Sequence, residues 1–466
     1  MHTHLSPKQL ETYLDFAELA LPRHTSYPAA SFWNTKTNLE DISCDVKFDN
    51  KQVSLYFHVP YCESLCFYCA CQKEICRRDS QAAAQKASDF IENIAREFSL
   101  KSKLLEGRRV THLHFGGGTP SFLNNEEWLK LWDIIEQNVE LEAAAELAIE
   151  LDPRTITKGR LAFFRSLGFN RISLGVQDFE TKVQKAINRT QSFAQVRELC
   201  EEARALGFTS INFDLIYGLP FQTIDSMETT LNQVTQLAPD RIAFYRLAVL
   251  PEMFKWQRSF LKKDLPQGTL PLELNLFAID FLRDRGYSFI GLDHFAKKGD
   301  DLSQAYDSGA LHRNFQGMTS GKDINILGFG PSAISSYGKY FFQNPREIKS
   351  WSAFVQEENP EFRSHKISFD DRIRAFIIQK IYSYGTIDIQ EVEDKFGIQW
   401  ESYFANSLNL IKYLEDKDLL VNSNYMIKEK GILGRLLRRV IAAAFDNYIP
   451  GNPYTKGMAG KASQVG

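Results

Sequence analysis

The chain has 466 residues, enough for a large core and more than one domain. Hydrophobic residues make up 44% and charged residues 24%, the balance of an ordinary folded protein, which excludes the disordered class. A net charge of -3 gives no broad positive field for nucleic acid, and no stretch approaches the ~20 apolar residues of a membrane span. The opening Met1-His-Thr-His-Leu-Ser-Pro-Lys lacks the apolar run of a secretion signal, so a cytoplasmic location is expected, with no membrane and no nucleic acid as partners.

Residues 1–50 read as an N-terminal arm and lead-in. A short helix over Leu10–Leu21 is ended by Pro22, and Pro22 and Pro28 frame an extended segment. Ser54–Val59 alternates like a strand and stops at Pro60, which withholds a backbone donor. Cys62, Cys66, Cys69 and Cys71 follow within ten residues. The first three are spaced so that one tight loop can turn their sulfurs inward, as a metal or cluster demands. Zinc is disfavoured because no second Cys pair or His at ligand spacing stands nearby, and disulfides because a chain without a secretion signal belongs in a reducing compartment. Three thiolates suit a 4Fe-4S cluster with one iron left open.

From residue 51 strand and helix alternate. Strands are expected at Ser54–Val59, Val110–Phe115, Glu146–Leu151, Arg171–Val176, Ser210–Ile216 and Arg241–Leu247, and helices at Gln81–Ser99, Glu126–Gln137 and Phe193–Leu206. Such alternation predicts an α/β fold with a parallel sheet, and six βα units are too few for a complete eight-fold barrel. From pattern alone a doubly wound sheet stays open as the alternative. Gly291–Ala296 and Leu311–Gly317 read as loops, and Leu327–Ile334 as a Gly-rich turn. Polarity rises around 356–360, and 346–368 reads as a linker. Residues 369–450 carry helical periodicity at Ile373, Phe376, Ile377, Ile381, Leu408, Ile411, Leu414 and Leu419, with a short β-like stretch over Leu420–Ile427, as in a small winged-helix-like domain. Arg435, Arg438 and Arg439 read as a solvated helix face, 451–466 as a flexible tail, and Cys200 as a core residue.

The CxxxCxxC loop after a first strand resembles the radical S-adenosylmethionine (radical SAM) superfamily. The added Cys71 makes the likeness more particular, to the oxygen-independent coproporphyrinogen III oxidase family, and it extends over nearly the whole chain. The resemblance implies a partial (β/α)6 barrel over 51–345, one 4Fe-4S cluster on Cys62, Cys66 and Cys69, and two S-adenosylmethionine sites. Tyr56, Gly117, Glu150 and Ile334 match positions contacting the first S-adenosylmethionine. Tyr68, Gly118, Thr119, Gln177, Arg189, Asp214 and Ala248 match the second site. Tyr68 stands where Phe is usual, and Pro331 departs from the pattern without removing Ile334. Cys71 is free to carry hydrogen or a proton, Gln316 falls on a pair that lines the family's active site, and Arg23 lies in an arm segment suited to substrate carboxylates.

The implied activity is anaerobic oxidative decarboxylation of a tetrapyrrole. A reduced carrier such as flavodoxin or ferredoxin feeds the cluster, a 5′-deoxyadenosyl radical takes hydrogen from a propionate, and loss of carbon dioxide plus one electron leaves a vinyl group. A monomer is expected. Arg246, Leu247 and Val249 replace the family's Asn, Tyr and His, so Arg246 either engages a propionate or pairs with an acidic neighbour. Two rivals stay in view, a radical SAM haem chaperone and an anaerobic haem-modifying or haem-degrading enzyme, and the strand-six change keeps the second open. The chaperones generally lack the equivalent of Cys71 and the arm.

Overall fold

The computed structural model describes residues 4–17, 19–45, 52–321 and 324–454. Among them, residues within 34–285 and 323–366 form one compact unit, and residues within 1–33, 286–322 and 367–466 a second. The flexible tail expected at 451–466 lies outside the described residues from 455 on.

The larger unit is built on six strands that each lead into a helix. They are β1 (Gln52–Val59), β2 (Arg109–Gly117), β3 (Glu140–Leu151), β4 (Arg171–Gln177), β5 (Ser210–Tyr217) and β6 (Arg241–Arg246). The helices are α1 (Gln81–Leu105), α2 (Asn125–Asn138), α3 (Arg160–Ser166), α4 (Phe193–Ala205), α5 (Ile224–Leu237) and α6 (Leu270–Asp284). All neighbours from β1 to β6 pair in parallel, the sheet that the alternating pattern predicts.

The outward faces carry the core. Val53, Leu55, Phe57 and Val59 of β1 are buried, and the Phe57 ring stacks on Phe115 of β2 at 4.6 Å. Against them α1 sets Phe90, Ile91, Ile94 and Phe98 at helical spacing, and burying each such side chain contributes about 1.5–3 kcal/mol. The helices start where capping chemistry stands. Asn124 and Glu127 cap α2 reciprocally, and Thr223 and Ser226 do the same for α5. Cys200 is fully buried on α4, in the packing role its pattern implies.

The sheet extends beyond β1. The stretch expected as a Gly-rich turn holds β7 (Asn325–Phe329), which pairs with β1 in parallel, and the start of β8 (Ile334–Tyr337). Gly328 hides the strand signal, yet a Cβ there would sit 2.6 Å from the Ile334 carbonyl oxygen, so only glycine fits this pairing. β9 (Tyr340–Gln343), β10 (Phe362–Lys366) and Thr35–Thr37 complete the edge in antiparallel order. The polar stretch 346–368 thus carries a helix, Ile348–Phe354, and β10.

The smaller unit centres on the helix Phe369–Tyr384, capped by Ser368 and ended by Gly385 at φ 70°. Helices Ile389–Phe396 and Ala405–Asp416 pack with it, beside a three-stranded sheet of Thr386–Asp388, Met426–Glu429 and Leu420–Asn422. Ile373, Ile377, Ile381, Ile411, Leu414 and Leu419 are buried, with Phe376 and Leu408 against them. The N-terminal helix runs Pro7–Ala17 rather than Leu10–Leu21. The segments expected as loops at 291–296 and 311–317 contain the strands His294–Lys297, His312–Asn314 and Gly317–Thr319, too short for periodicity to show.

The basic residues near the end are not a solvated face. Arg438 is fully buried, forking onto Glu429 at 2.5 and 2.8 Å and donating to the Gly291 and Tyr382 carbonyls. Arg435 donates to the Phe289 carbonyl and Arg439 to that of Leu21. Three-residue charge spacing looks solvated in sequence, but unpaired backbone carbonyls of this unit recruit the guanidiniums inward. No helix among the described residues is long and apolar enough to cross a membrane.

Candidate active site

The cysteine loop leaves β1 at Pro60. The short strand Tyr61–Cys62 pairs with Glu74–Ile75, closing the loop at its base, and the Cys76 amide donates to the Cys62 carbonyl at 2.9 Å. Between these ends Phe67 N donates to Ile187 O at 3.0 Å, and Asn188 Nδ2 to Leu65 O at 2.8 Å, so the loop is tied to the segment after β4. Lys73 Nζ donates to the Cys69 and Cys71 carbonyls, 3.2 Å each, and Trp256 Nε1 to Cys69 O at 3.1 Å.

Each of the three ligand candidates has its own surroundings. Thr119 donates to Cys62 Sγ at 3.4 Å. Arg154 Nη2 and Arg189 Nη1 donate to Cys66 Sγ at 3.3 and 3.5 Å. Cys69 is bonded by the Cys71 thiol, and that bond together with the charge on Cys69 pushes the Cys71 pKa well up. Burial pushes the Cys62 thiol up to about 12, Thr119 opposing and Cys69 and Cys66 adding as neighbouring thiolates. A four-iron cluster binds each sulfur through a different iron, and the N–H and O–H donors at the Cys62 and Cys66 sulfurs suit an anionic cluster. The residues fit the group.

The inward faces of β1 to β3 form a bonded chain beside this loop. His58 Nε2 donates to Gln72 O at 2.8 Å, and its Nδ1 accepts from the Tyr56 hydroxyl at 3.1 Å. Burial lowers the His58 pKa, keeping the ring neutral as this pattern requires. Tyr56 stacks on His114 at 5.8 Å, and His114 Nε2 donates to Glu150 Oε1 at 3.0 Å. Glu150 Oε2 accepts from Gly117 N at 3.2 Å. Burial pushes the Glu150 carboxyl up, but the bonds from His114 and Gly117 outweigh it and hold the group below the usual carboxylate range. The glycines are needed here. A Cβ on Gly116 would lie 2.6 Å from Glu150 Oε1, and Gly117 sits at φ +103° with the His58 ring 2.5 Å from where its Cβ would be.

The second expected group gathers around β4 and β5. Arg189 Nε and Nη2 donate to Gly175 O at 2.9 and 2.6 Å, and a Cβ on Gly175 would touch both Arg189 and Gln177. Gln177 is buried at φ 66°. Asp214, the polar residue of a buried strand, accepts from Ser173 at 3.2 Å and from Asn212 at 2.9 Å. Gly118 N donates to Val59 O at 2.7 Å and Thr119 N to Tyr61 O at 2.8 Å, fixing that turn beside the cysteine loop. Tyr68 packs against the cluster of Val183, Ile187, Ile216 and Leu219, and the Ala248 carbonyl accepts from Gln257 at 3.0 Å. Ile334 opens β8 beside Gly328. Gln316 and the exposed Arg23 belong to the smaller unit, Gln316 in the turn between His312–Asn314 and Gly317–Thr319. In the strand-six departure, Leu247 N donates to Tyr217 O at 2.9 Å while Arg246 and Val249 are exposed.

Pattern reading passed over Asp152. It is buried, it accepts from Arg154 at 2.7 Å and from Arg189 at 3.1 Å, and both guanidiniums also reach Cys66. Burial pushes its carboxyl up, but Arg189 and Arg154 outweigh that and hold it below the ordinary value. The available sign was position: Asp152-Pro-Arg154 follows directly on the end of β3, where sites of parallel barrels form. His58 and His114 were equally legible, since they alternate with Phe57 and Phe115 and so share a face with Tyr56.

Residues 56–234 match the model of the radical SAM superfamily. The chain is 39% identical over 434 residues, 92% of this chain and 93% of the relative, to the oxygen-independent coproporphyrinogen III oxidase of Escherichia coli K12. It is 37% identical over 445 residues, 93% and 94% of the two chains, to that of Pseudomonas aeruginosa. A solved structure of coproporphyrinogen III oxidase from Escherichia coli, described as a radical SAM enzyme, superposes with a TM-score of 0.82 at 38% identity, covering 86% of this chain and 91% of that one.

Proposed function

The chain belongs to the oxygen-independent coproporphyrinogen III oxidase family, and from that premise we propose that it converts coproporphyrinogen III to protoporphyrinogen IX without oxygen, in haem biosynthesis. The observation that carries the reading is the loop of Cys62, Cys66 and Cys69 closed over Thr119, Arg154 and Arg189, next to the Tyr56–His114–Glu150 chain. A 4Fe-4S cluster and S-adenosylmethionine bound there supply a carbon radical able to take hydrogen from a propionate side chain.

The residues then divide the work. Cys62, Cys66 and Cys69 hold the cluster. Tyr56, Gly117, Glu150 and Ile334 hold one S-adenosylmethionine, with Glu150 kept ionised for its ammonium group. Tyr68, Gly118, Thr119, Gln177, Arg189, Asp214 and Ala248 hold a second, where the Arg189 guanidinium suits a carboxylate. Cys71 moves a hydrogen or proton, and Arg23 and Gln316 act on the tetrapyrrole. We further propose that the protein works as a cytoplasmic monomer fed by a reduced flavodoxin or ferredoxin.

Anaerobic, cluster-reconstituted protein given coproporphyrinogen III, S-adenosylmethionine and reductant is expected to release protoporphyrinogen, carbon dioxide and 5′-deoxyadenosine. Coproporphyrinogen III left unconverted, with haem offered in a parallel sample either retained unchanged or opened to a linear tetrapyrrole, overturns the assignment. Arg23→Ala is expected to raise KM for the tetrapyrrole, and an unchanged KM removes Arg23 from the substrate site.

A further inference from the structure

Cys66 differs from the other two ligand candidates in what faces its sulfur. Cys62 receives one neutral hydroxyl, from Thr119 at 3.4 Å, whereas Cys66 receives two guanidinium N–H donors, Arg154 at 3.3 Å and Arg189 at 3.5 Å. Cys69 has the Cys71 thiol and a single cation, Lys73, as neighbours, whereas Cys66 faces two guanidiniums set against one anion, Asp152.

The construction behind it is rigid. Arg154 Nε donates to Asp152 Oδ1 at 3.0 Å, Nη2 to Oδ2 at 2.7 Å and Nη1 to Asn188 O at 3.2 Å, while its own backbone N donates to Asp152 Oδ1 at 3.0 Å. Asp152 side chain is 9% exposed, Arg154 19% and Arg189 7%. The planar fork is therefore locked by a carboxylate on one edge and a carbonyl on another, and the second Nη2–H points at sulfur. An arginine needed only to cap the end of β3 would have no reason to reach 88 residues back to a cysteine. A thiolate that accepts charge-assisted N–H bonds is stabilised more as its cluster gains negative charge, so such donors raise the reduction potential.

We propose that Asp152 and Arg154 are positioning residues that hold a guanidinium on the Cys66 sulfur and thereby raise the reduction potential of the cluster this cysteine ligates. The proposal rests on the cluster reading given above. It assigns to the Asp152–Arg154 pair the task of making the cluster reducible by a cellular carrier, distinct from the binding of S-adenosylmethionine or tetrapyrrole.

The test is an anaerobic redox titration of the reconstituted holoenzyme, read by electron paramagnetic resonance without S-adenosylmethionine, with iron and sulfide content measured on the same samples. Arg154→Met keeps the length and loses the charge. With wild-type iron content its midpoint is expected to fall by at least a tenfold change in the reduction equilibrium, which is 59 mV for one electron. Arg154→Lys keeps the charge without the fork and is expected to fall between the two. A wild-type midpoint in fully loaded Arg154→Met overturns the proposal. So does failure of both variants to hold a cluster, because Arg154 then serves assembly. Wild-type protein that takes up no cluster sinks the functional reading itself, a result told apart by the iron content of the unmutated sample.

Discussion

Two buried charge networks lie in the larger unit, and they differ in where their hydrogen bonds end. Glu97 and Lys101 on α1 pair at 2.6 Å with both side chains at 0% exposure. Glu97 also accepts from Asn344, Gly330 N and Trp351 at 2.7, 2.8 and 3.1 Å, and Lys101 donates to the Gly328 carbonyl. Every bond stays inside the protein, and what it secures is the β7 end with its two glycines. The Asp152–Arg154–Arg189 network is also buried, but two of its donors leave the network for a cysteine sulfur. A charge cluster closed on itself is a fastening, and one with donors to spare borders a site.

This contrast is broken most severely by Cys66→Ala. Removing the sulfur on which the second network converges is expected to abolish cluster uptake, measured as iron and sulfide, and with it deoxyadenosine release, while the unfolding midpoint in urea stays near that of the cluster-free wild type.

Glu97→Ala does the reverse. It leaves Lys101 buried and unpaired, at a cost of about 3–5 kcal/mol, read as a fall in the urea midpoint. Burial already pushes the Lys101 pKa down against the pull of Glu97, so the lone ammonium loses its proton more readily in the variant. The double change Glu97→Leu with Lys101→Met is expected to recover most of the loss, because neither charge then needs a partner.

Gly330→Ala tests what the first network fastens. Gly330 stands at φ +91° with the His58 carbonyl oxygen where a Cβ would go, so the chain must shift at about 3 kcal/mol. Gly107→Ala, at φ +68° with open space around it, is expected to cost only about 1 kcal/mol.

Asp152→Asn is expected to cost about 1–2 kcal/mol at neutral pH. The folded pKa of Asp152 is depressed below 3.8, so its contribution is complete above that value and is lost as pH falls through the folded pKa. The gap between wild type and variant should therefore close on acidification below about pH 4, by unfolding measured across pH. A gap that persists there would mean that shape, not charge, is what Asp152 provides.

Much of this architecture is legible in the sequence alone. Strands β1 to β6 announce themselves because Leu55, Phe57 and Val59, or Ile172, Leu174 and Val176, alternate with residues of another kind, and alternation is a local property of the backbone. The cysteine loop was equally plain. β7 was not, because glycine replaces side chains at the positions that pack closest, and closeness is what erases the pattern. Arg438 was misread because a guanidinium on a helix looks the same in sequence whether water or a carbonyl receives it.

The amino-acid order by itself determined the parallel α/β alternation, the spacing of Cys62, Cys66 and Cys69, and the glycines at 116–118, since each is written within a few neighbouring residues. The tertiary structure alone decided which groups those features meet: that Arg154 reaches Cys66, that Glu150 takes its bonds from His114 and Gly117, and that Lys101 is sealed beneath β7. The reason is geometric. Parallel strands deliver their ends to one rim, so partners dozens of residues apart become neighbours only when the sheet closes.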